Sequence, residues 1–546
     1  MRNCRLFILG CFISVSLFSQ TRSGRHSEFP DSIATHKVLL DEQSKIISWI
    51  TPQSMAYDRF LRDRWNFIVK GVPNSPGPAP RSNYPQYYFY CAYKDQKMIP
   101  DTWMNDVGEK IPNWFESARL FYQYSGDRSA LDIVTKMAAY AIDHGTSPSD
   151  FAWPNFPYTT TNAGDTLFRG FTSGKRLVLH EVQVDHAGDM GFTYYRLFLY
   201  TGNEKFKTAA IHIADVLGKY ARVGTASKSV WPYRVVMSNG KITAQYGANW
   251  MGCYSLLECL VKANIGNVAS YSAALSKVRN FILQFPMKTG YWTDGHTDTD
   301  VNSDTYKSNM SASNAALYFF DDPDFDPDYK TDIPNLIKWT EKNFVVRSLP
   351  GEPSTQWGAN IVGEQDSFLP KMDYQTARYG AECARWYALS ADTTYKEKAY
   401  RSLNWVTYCS DTNGLAFESP LSNGVTSWWS DCYGEGPRMF YHAFAAVPEW
   451  APPHENHILY AKGVLKDVSY KPQKVAYMAT DETGTEFIRL SFKPARITLN
   501  GTQIFNTPGS NEQGYTLKDL PGGDYAVNVN RKSAGNVIIV APDTKK

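Results

Sequence analysis

Very little of the charge in this chain is unbalanced: 56 Lys and Arg stand against 54 Asp and Glu, a net +2 with histidine neutral. That balance removes the electrostatic footprint that a nucleic-acid partner or an anionic membrane surface requires. Histidine is scarce at ten residues, and neither a His-Glu-x-x-His nor a Cys-x-x-Cys pair occurs, so no metal site is expected. Six cysteines follow residue 20, namely Cys91, Cys253, Cys259, Cys383, Cys409 and Cys432, and their spacing makes no disulfide framework, so buried free thiols are expected. Past the N-terminus there is no run of about 20 apolar residues, the length a membrane span needs.

The one apolar run is at the start, where Arg2 and Arg5 precede Leu6 to Phe18 and Ser19-Gln20 follows. This is the pattern of an export signal over 1–20, which implies a periplasmic or secreted protein. Ile8-Leu9-Gly10-Cys11 offers lipid anchoring at Cys11 as the alternative.

Aromatic residues, by contrast, are plentiful at 14%, with 15 Trp and 35 Tyr. In long polar loops such rings form flat platforms for sugars or other planar ligands. Apolar residues recur at helical spacing near 53–69, 107–123, 127–143, 187–201, 203–220, 248–263, 269–285, 309–320, 332–345, 373–390, 394–409 and 437–447. Between members of a pair lie tight turns: Tyr124-Ser125-Gly126-Asp127, Tyr200-Thr201-Gly202-Asn203, Asn264-Ile265-Gly266-Asn267, Ser390-Ala391-Asp392 and a longer one from Asp321 to Asp328. The first member of each pair is apolar nearly all round and the second is one-sided, so inner and outer helices alternate. Five hairpins run from residue 107, and the helix at 53–69 completes a sixth with the last inner helix. A mainly α (α/α)6 toroid over 30–450 is the predicted fold.

The links at 70–106, 144–186, 221–247, 286–308, 346–372 and 411–436 are long and would all emerge beside the N-termini of the inner helices. That face is therefore where function is expected. After Pro448, Pro452 and Pro453 the pattern turns to alternating short segments such as Val475-Ala476-Tyr477-Met478 and Tyr525-Ala526-Val527-Asn528-Val529. These predict a small antiparallel β-sandwich over 457–546.

Asp185 and Asp189, four apart at a helix start after the longest link, supply the two carboxylates that glycosidic hydrolysis uses, one protonated and one ionised. Asp294 and Asp366 lie in two further links and complete the set of candidate catalytic carboxylates. His186, Trp292, His296, Trp428, Trp429, Asp431 and Glu435 are candidate substrate contacts, and Arg378 and Arg438 are candidate forks for a substrate carboxylate. Tyr291, His296 and Asn309 leave open a second chemistry, β-elimination of a uronate. Asp298, Asp300, Asn302 and Asp304 mimic a calcium loop, but Ser303 and Asn309 stand where that loop needs Gly and Glu.

In its hairpin texture, the Asp185 to Asp189 segment and the Trp428 to Arg438 segment, the chain resembles the exported six-hairpin glycosidases. The likeness is greatest to the unsaturated uronyl hydrolases of glycoside hydrolase families 88 and 105 and the β-glucuronidases of family 154. Trp429 to Gly436 lacks the Arg and second Trp of the uronyl hydrolase pattern W-x-R-G-x-G-W, which turns the expectation away from an unsaturated sugar. The resemblance implies an exported glycoside hydrolase without a cofactor that removes a terminal uronic acid, β-glucuronosyl first, from a polysaccharide or oligosaccharide. A polysaccharide lyase on the same toroid and a non-catalytic glycan-binding protein are the alternatives.

Overall fold

The computed structural model describes residues 32–33, 36–72, 92–94, 99–100, 105–161, 167–173, 176–293, 307–346, 357–364, 366, 371–418, 428–507 and 512–542. The proposed export signal, Cys91, Asp294, His296, the acidic run 298–304 and the side chains of Trp428 and Trp429 lie outside this set.

Twelve long helices are present among the described residues: α1 Ala56–Asn66, α2 Val107–Ser125, α3 Ser129–His144, α4 Val184–Thr201, α5 Glu204–Tyr220, α6 Met251–Lys262, α7 Val268–Gln284, α8 Asn309–Asp321, α9 Tyr329–Phe344, α10 Asp373–Ser390, α11 Thr393–Thr407 and α12 Asp431–Ala446. The even-numbered helices touch one another in sequence order, and α12 returns to α2. Each odd-numbered helix from α3 to α11 packs outside the helix before it, and α1 packs on α12. The fold is the (α/α)6 toroid. Its turns are built as their residues dictate: Gly126 and Gly202 take φ of 78° and 73° at the ends of α2 and α4, a left-handed geometry that glycine adopts without steric cost. Asn203 and Asp392 then cap α5 and α11 by accepting from the backbone N–H of Lys205 and Thr394.

Closure of the ring depends on Arg64 of α1, which is wholly buried. Its guanidinium meets Asp373 at the start of α10 at 2.6 Å and donates to Ser410 Oγ at 2.9 Å and to the Cys432 carbonyl.

Helix starts fall within three residues of the periodicity except that of α12, and two of the helices carry an internal proline. α12 begins at Asp431 rather than 437, with Pro437 inside the helix, and α9 begins at Tyr329 with Pro334 inside. In both, proline falls in the second turn and forfeits one backbone bond close to the N-terminus, where a helix tolerates the loss better than at its middle. The earlier start of α12 places Asp431 and Glu435 on a helix rather than in the 411–436 link.

The C-terminal region is a sandwich of β1 His457–Ala461, β2 Leu465–Lys471, β3 Lys474–Ala479, β4 Gly484–Leu490, β5 Arg496–Leu499, β6 Thr502–Ile504, β7 Gly514–Asp519, β8 Tyr525–Arg531 and β9 Gly535–Val540. One antiparallel sheet has the order β1-β4-β8-β7 and the other β2-β3-β9-β5-β6. Alternate residues such as Val475, Tyr477, Val537 and Ile539 fill the space between them.

This sandwich sits on the C-terminal ends of the inner helices. Arg119 of α2 donates to the carbonyls of Ala461 and Gly463 at 2.9 and 2.7 Å, and Arg196 of α4 to that of Lys462 at 3.2 Å. In return His457 donates to the last-turn carbonyl of Tyr124 at 2.8 Å and Lys466 to that of Leu199 at 3.2 Å. Carbonyls left orphaned at helix ends thereby gain donors. The segment after β1 closes one end of the toroid.

Candidate active site

A cavity of about 190 Å³ follows the axis of the ring. It is lined by polar stripes on helices that are otherwise apolar: Glu109, Asn113 and Glu116 on α2, and His186, Asp189, Thr193 and Arg196 on α4. Asn314, Tyr318 and Asp321 on α8 and Glu435, Arg438 and His442 on α12 complete the wall. Members of each stripe are three or four residues apart, the spacing that keeps side chains on one helical face. Tyr460 and Lys462 of the sandwich form the floor, with the Tyr460 hydroxyl donating to Asp321 and the Lys462 ammonium 4.9 Å from the Tyr318 ring centre.

The structure separates the candidate residues. Asp189, His186, Glu435 and Arg438 line the cavity. Asp185 is 1% exposed and does not line it; its Oδ2 accepts from Asn249 at 3.3 Å. That bond ends a chain of side chains around the lumen: Asn249 accepts from Asn314 at 3.0 Å, and Asn314 accepts from Arg378 at 2.6 Å. Arg378 grips Glu435 with both Nε and Nη2, at 3.1 and 2.6 Å, and Glu435 accepts from Asn113 at 2.8 Å. Asn113, Glu435, Arg378, Asn314 and Asp185 stand on five inner helices and Asn249 precedes the sixth, so one polar girdle joins every hairpin.

Arg378 is therefore committed to Glu435 and is not a fork for substrate. Trp292 is buried in the core at 1% exposure, as are Trp65, Trp114, Trp231, Trp250 and Trp405. The expected platforms are absent from the cavity, whose rings among the described residues are Phe192, Tyr318 and Tyr460. Helix packing, rather than ligand stacking, accounts for these tryptophans. Asp366 does not line the cavity; it clasps the backbone of Lys307, accepting from its N–H at 3.2 Å. Asp431 heads α12 beside Ser430, which donates to it at 3.3 Å, and is also set back from the lining. Asn309 is wholly buried, donating to Gln375 and accepting from Thr340, both at 3.0 Å, so its amide cannot neutralise a uronate as the elimination chemistry asked.

Electrostatics set the two cavity carboxylates apart. Burial pushes Asp189 up to about 7, with Asp185 and Glu435 adding to the rise against His186 and Arg438. Glu435 is also buried, but Arg378 and Arg438 outweigh that and hold it below the ordinary glutamate value. Burial likewise pushes Glu109 well up, helped by Asp431 and Glu435. His186 goes the other way from a buried imidazole, because Asp185, Asp106 and Glu109 overcome desolvation and hold it well above its usual value. Near the floor, His442 is held down to about 3 by burial and accepts from Arg385 at 3.2 Å as a neutral ring.

Asp189 owes its place to a glycine on the facing helix. A Cβ at Gly252 would stand 1.6 Å from Asp189 Oδ1, an impossible contact, so only glycine lets α6 approach this carboxylate. Gly252→Ala is expected to turn Asp189 off its position and lower kcat about 100-fold with the helical circular dichroism spectrum unchanged.

Floor residues Glu116, Arg196, Asp321, His442, Tyr460 and Lys462 went unrecognised in the sequence. Glu116, Arg196, Asp321 and His442 carried a signal, polar residues at helical spacing on the apolar inner helices, whereas Tyr460 and Lys462 lie beyond the last helix and carried none.

No family model and no curated sequence matches the chain. Among solved structures, cellobiose 2-epimerase from Spirochaeta thermophila superposes with a TM-score of 0.47 at 10% identity, covering 73% of this chain and 99% of that one. A family 76 glycoside hydrolase from a bovine Bacteroides thetaiotaomicron strain gives 0.46 at 12% identity, covering 72% and 78%. An unsaturated glucuronyl hydrolase specific for heparin gives 0.44 at 8%, covering 72% and 96%. Likeness this distant bears on the course of the chain alone. The chemistry rests on the cavity's own residues.

Proposed function

We propose that the chain is a glycoside hydrolase that admits the end of a glycan to the blind lumen and removes one terminal uronic acid, β-glucuronosyl being the first candidate. The observation that carries this is a carboxyl near 7, Asp189, and an ionised carboxylate, Glu435, lining the same cavity. A pair of carboxyls whose environments drive them apart is the acid and the anion that glycosidic cleavage needs. Asp189 protonates the departing oxygen as the glycosidic bond breaks, Glu435, fixed by Arg378, offers negative charge to the oxocarbenium-like centre, and a water molecule adds to that carbon and returns a proton to Asp189. The cavity's 190 Å³ falls below the ~300–1,000 Å³ of sites for drug-sized ligands, which suits one sugar unit rather than the middle of a polymer.

A uronate is favoured by the deeper half of the lumen. There Glu116 is paired with Arg119 and Arg196 and Asp321 with Arg385, and Arg438 and Lys462 add positive charge to the lining beyond those pairs. Arg438 reaches Glu435 only at 3.5 Å, and its buried Nε has no hydrogen-bond partner, leaving it a donor for a substrate carboxylate. If residues 1–20 direct export, the substrate is an extracytoplasmic glycan.

The test is product analysis with paired aryl uronides and neutral aryl hexosides. Arg438→Gln is expected to raise KM for the uronide about 10- to 100-fold, the equivalent of a charge-assisted bond of about 1.5–3 kcal/mol, and to leave KM for a neutral hexoside unchanged; a change in kcat, since Arg438 also bears on Glu435 and Asp189, would be common to both substrates. An enol-ether absorbance from uronate polymers, with no reducing sugar from the uronides, would replace hydrolysis by elimination.

A further inference from the structure

Asp106, Glu109 and His186 gather where α2 and α4 begin. Asp106 is the N-cap of α2, with Oδ1 accepting from the Glu109 N–H at 3.3 Å. One ligand atom from each of the three side chains lies within 4.8 Å of the others. The His186 side chain is only 6% exposed, yet its Nδ1 has no hydrogen-bond partner. It faces Asp106 Oδ1 at 3.4 Å, well beyond the ~2.7–2.9 Å of a formed charge-assisted bond. The spacing surrounds a point with one nitrogen and two carboxylate oxygens.

We infer that Asp106, Glu109 and His186 form a binding site for one divalent transition-metal ion. The donor set decides the class: an imidazole with two carboxylates suits zinc or manganese, whereas calcium and magnesium favour oxygen ligands throughout. Three protein ligands leave the coordination sphere open. Glu109 and His186 both line the lumen, so the open positions face it and are available to water or to a pair of sugar hydroxyls. The helix supplies the spacing, because Asp106 and Glu109 lie three residues apart at the first turn of α2 and share a face. This site is independent of the hydrolase assignment, since it requires neither Asp189 nor Glu435.

The experiment is calorimetric titration of the dialysed full chain with Zn²⁺ and with Mn²⁺ at neutral pH, paired with thermal unfolding. One equivalent of at least one of the two ions is expected, with a rise in Tm. Glu109→Gln and Asp106→Asn, each verified as folded by circular dichroism, are expected to weaken that binding by about 100-fold or more. No saturable binding of either ion up to millimolar concentration overturns the proposal. So does one equivalent that survives unchanged in both folded variants, because the ion then sits elsewhere. Neither result touches the aryl uronide assay, so this site and the hydrolase assignment can fail separately.

Discussion

Asp189→Asn is expected to lower kcat by about 10²–10⁴-fold, the worth of a positioned general acid, with KM changed no more than about twofold. The amide fills the same space beside Gly252 but has no proton to give. In the unaltered protein the pH dependence has a definite sign. Asp189 acts in its protonated form and burial holds its pKa at about 7, so kcat falls as pH rises through neutrality and is retained below it. An ordinary aspartate would lose its proton near pH 4 and could not serve at neutral pH. Asp185→Asn should cost far less, on the order of tenfold, because Asp185 acts through Asn249 and the girdle rather than at the cavity surface. Steady-state kinetics on an aryl uronide across pH 5 to 9 checks all three expectations. Full activity in Asp189→Asn would remove the acid from this assignment.

The second large effect belongs to Arg378. Arg378→Met strips a wholly buried Glu435 of its bidentate partner and Asn314 of its donor, and is expected to lower the unfolding free energy by about 3–5 kcal/mol. Lysine should not restore it, because one ammonium cannot reproduce the two parallel bonds to Glu435. Removing the stranded charge as well, in Arg378→Met with Glu435→Gln, should recover a substantial part of the loss. Denaturant midpoints at constant slope measure each step. Equal stability in the single and double variants would mean that the ion pair is not what Arg378 contributes.

The scaffold was legible because its signals are local. A glycine in left-handed geometry at Gly126 and Gly202, a capping Asn203 or Asp392, and apolar spacing on either side announce each hairpin without knowledge of the rest. Ring closure by α1 followed from counting, since an inner helix without a mate required one. The start of α12 was misplaced for an equally local reason: Pro437 looks like a first-turn residue, and only the structure shows that the helix carries it in its second turn. The site was harder to read because it is assembled across the ring. Asp185 and Asp189 look equivalent in sequence, and their difference lies in Asn249 and Gly252, which stand against them from the neighbouring hairpin. Trp292 and Arg378 have the chemistry of sugar contacts, but the first is enclosed by helices and the second by Glu435 and Asn314. Arg196 and His442 seemed unremarkable because each acquires its role only when the inner helices bring their polar residues to a common cavity, and Lys462 because it lies beyond the last helix.

The floor of the lumen comes from the segment that follows the last helix, so the order of synthesis bears on when the site exists. A chain made as far as α12 holds Arg64 and its partners, but lacks the segment that stops the lumen at the C-terminal ends of the inner helices. Tyr460 and Lys462 stop it only after their strand has bonded across the ends of α2 and α4. The binding chamber thus depends on a segment made after all the helices, and a chain ending at α12 would possess the carboxylates without the floor beneath them.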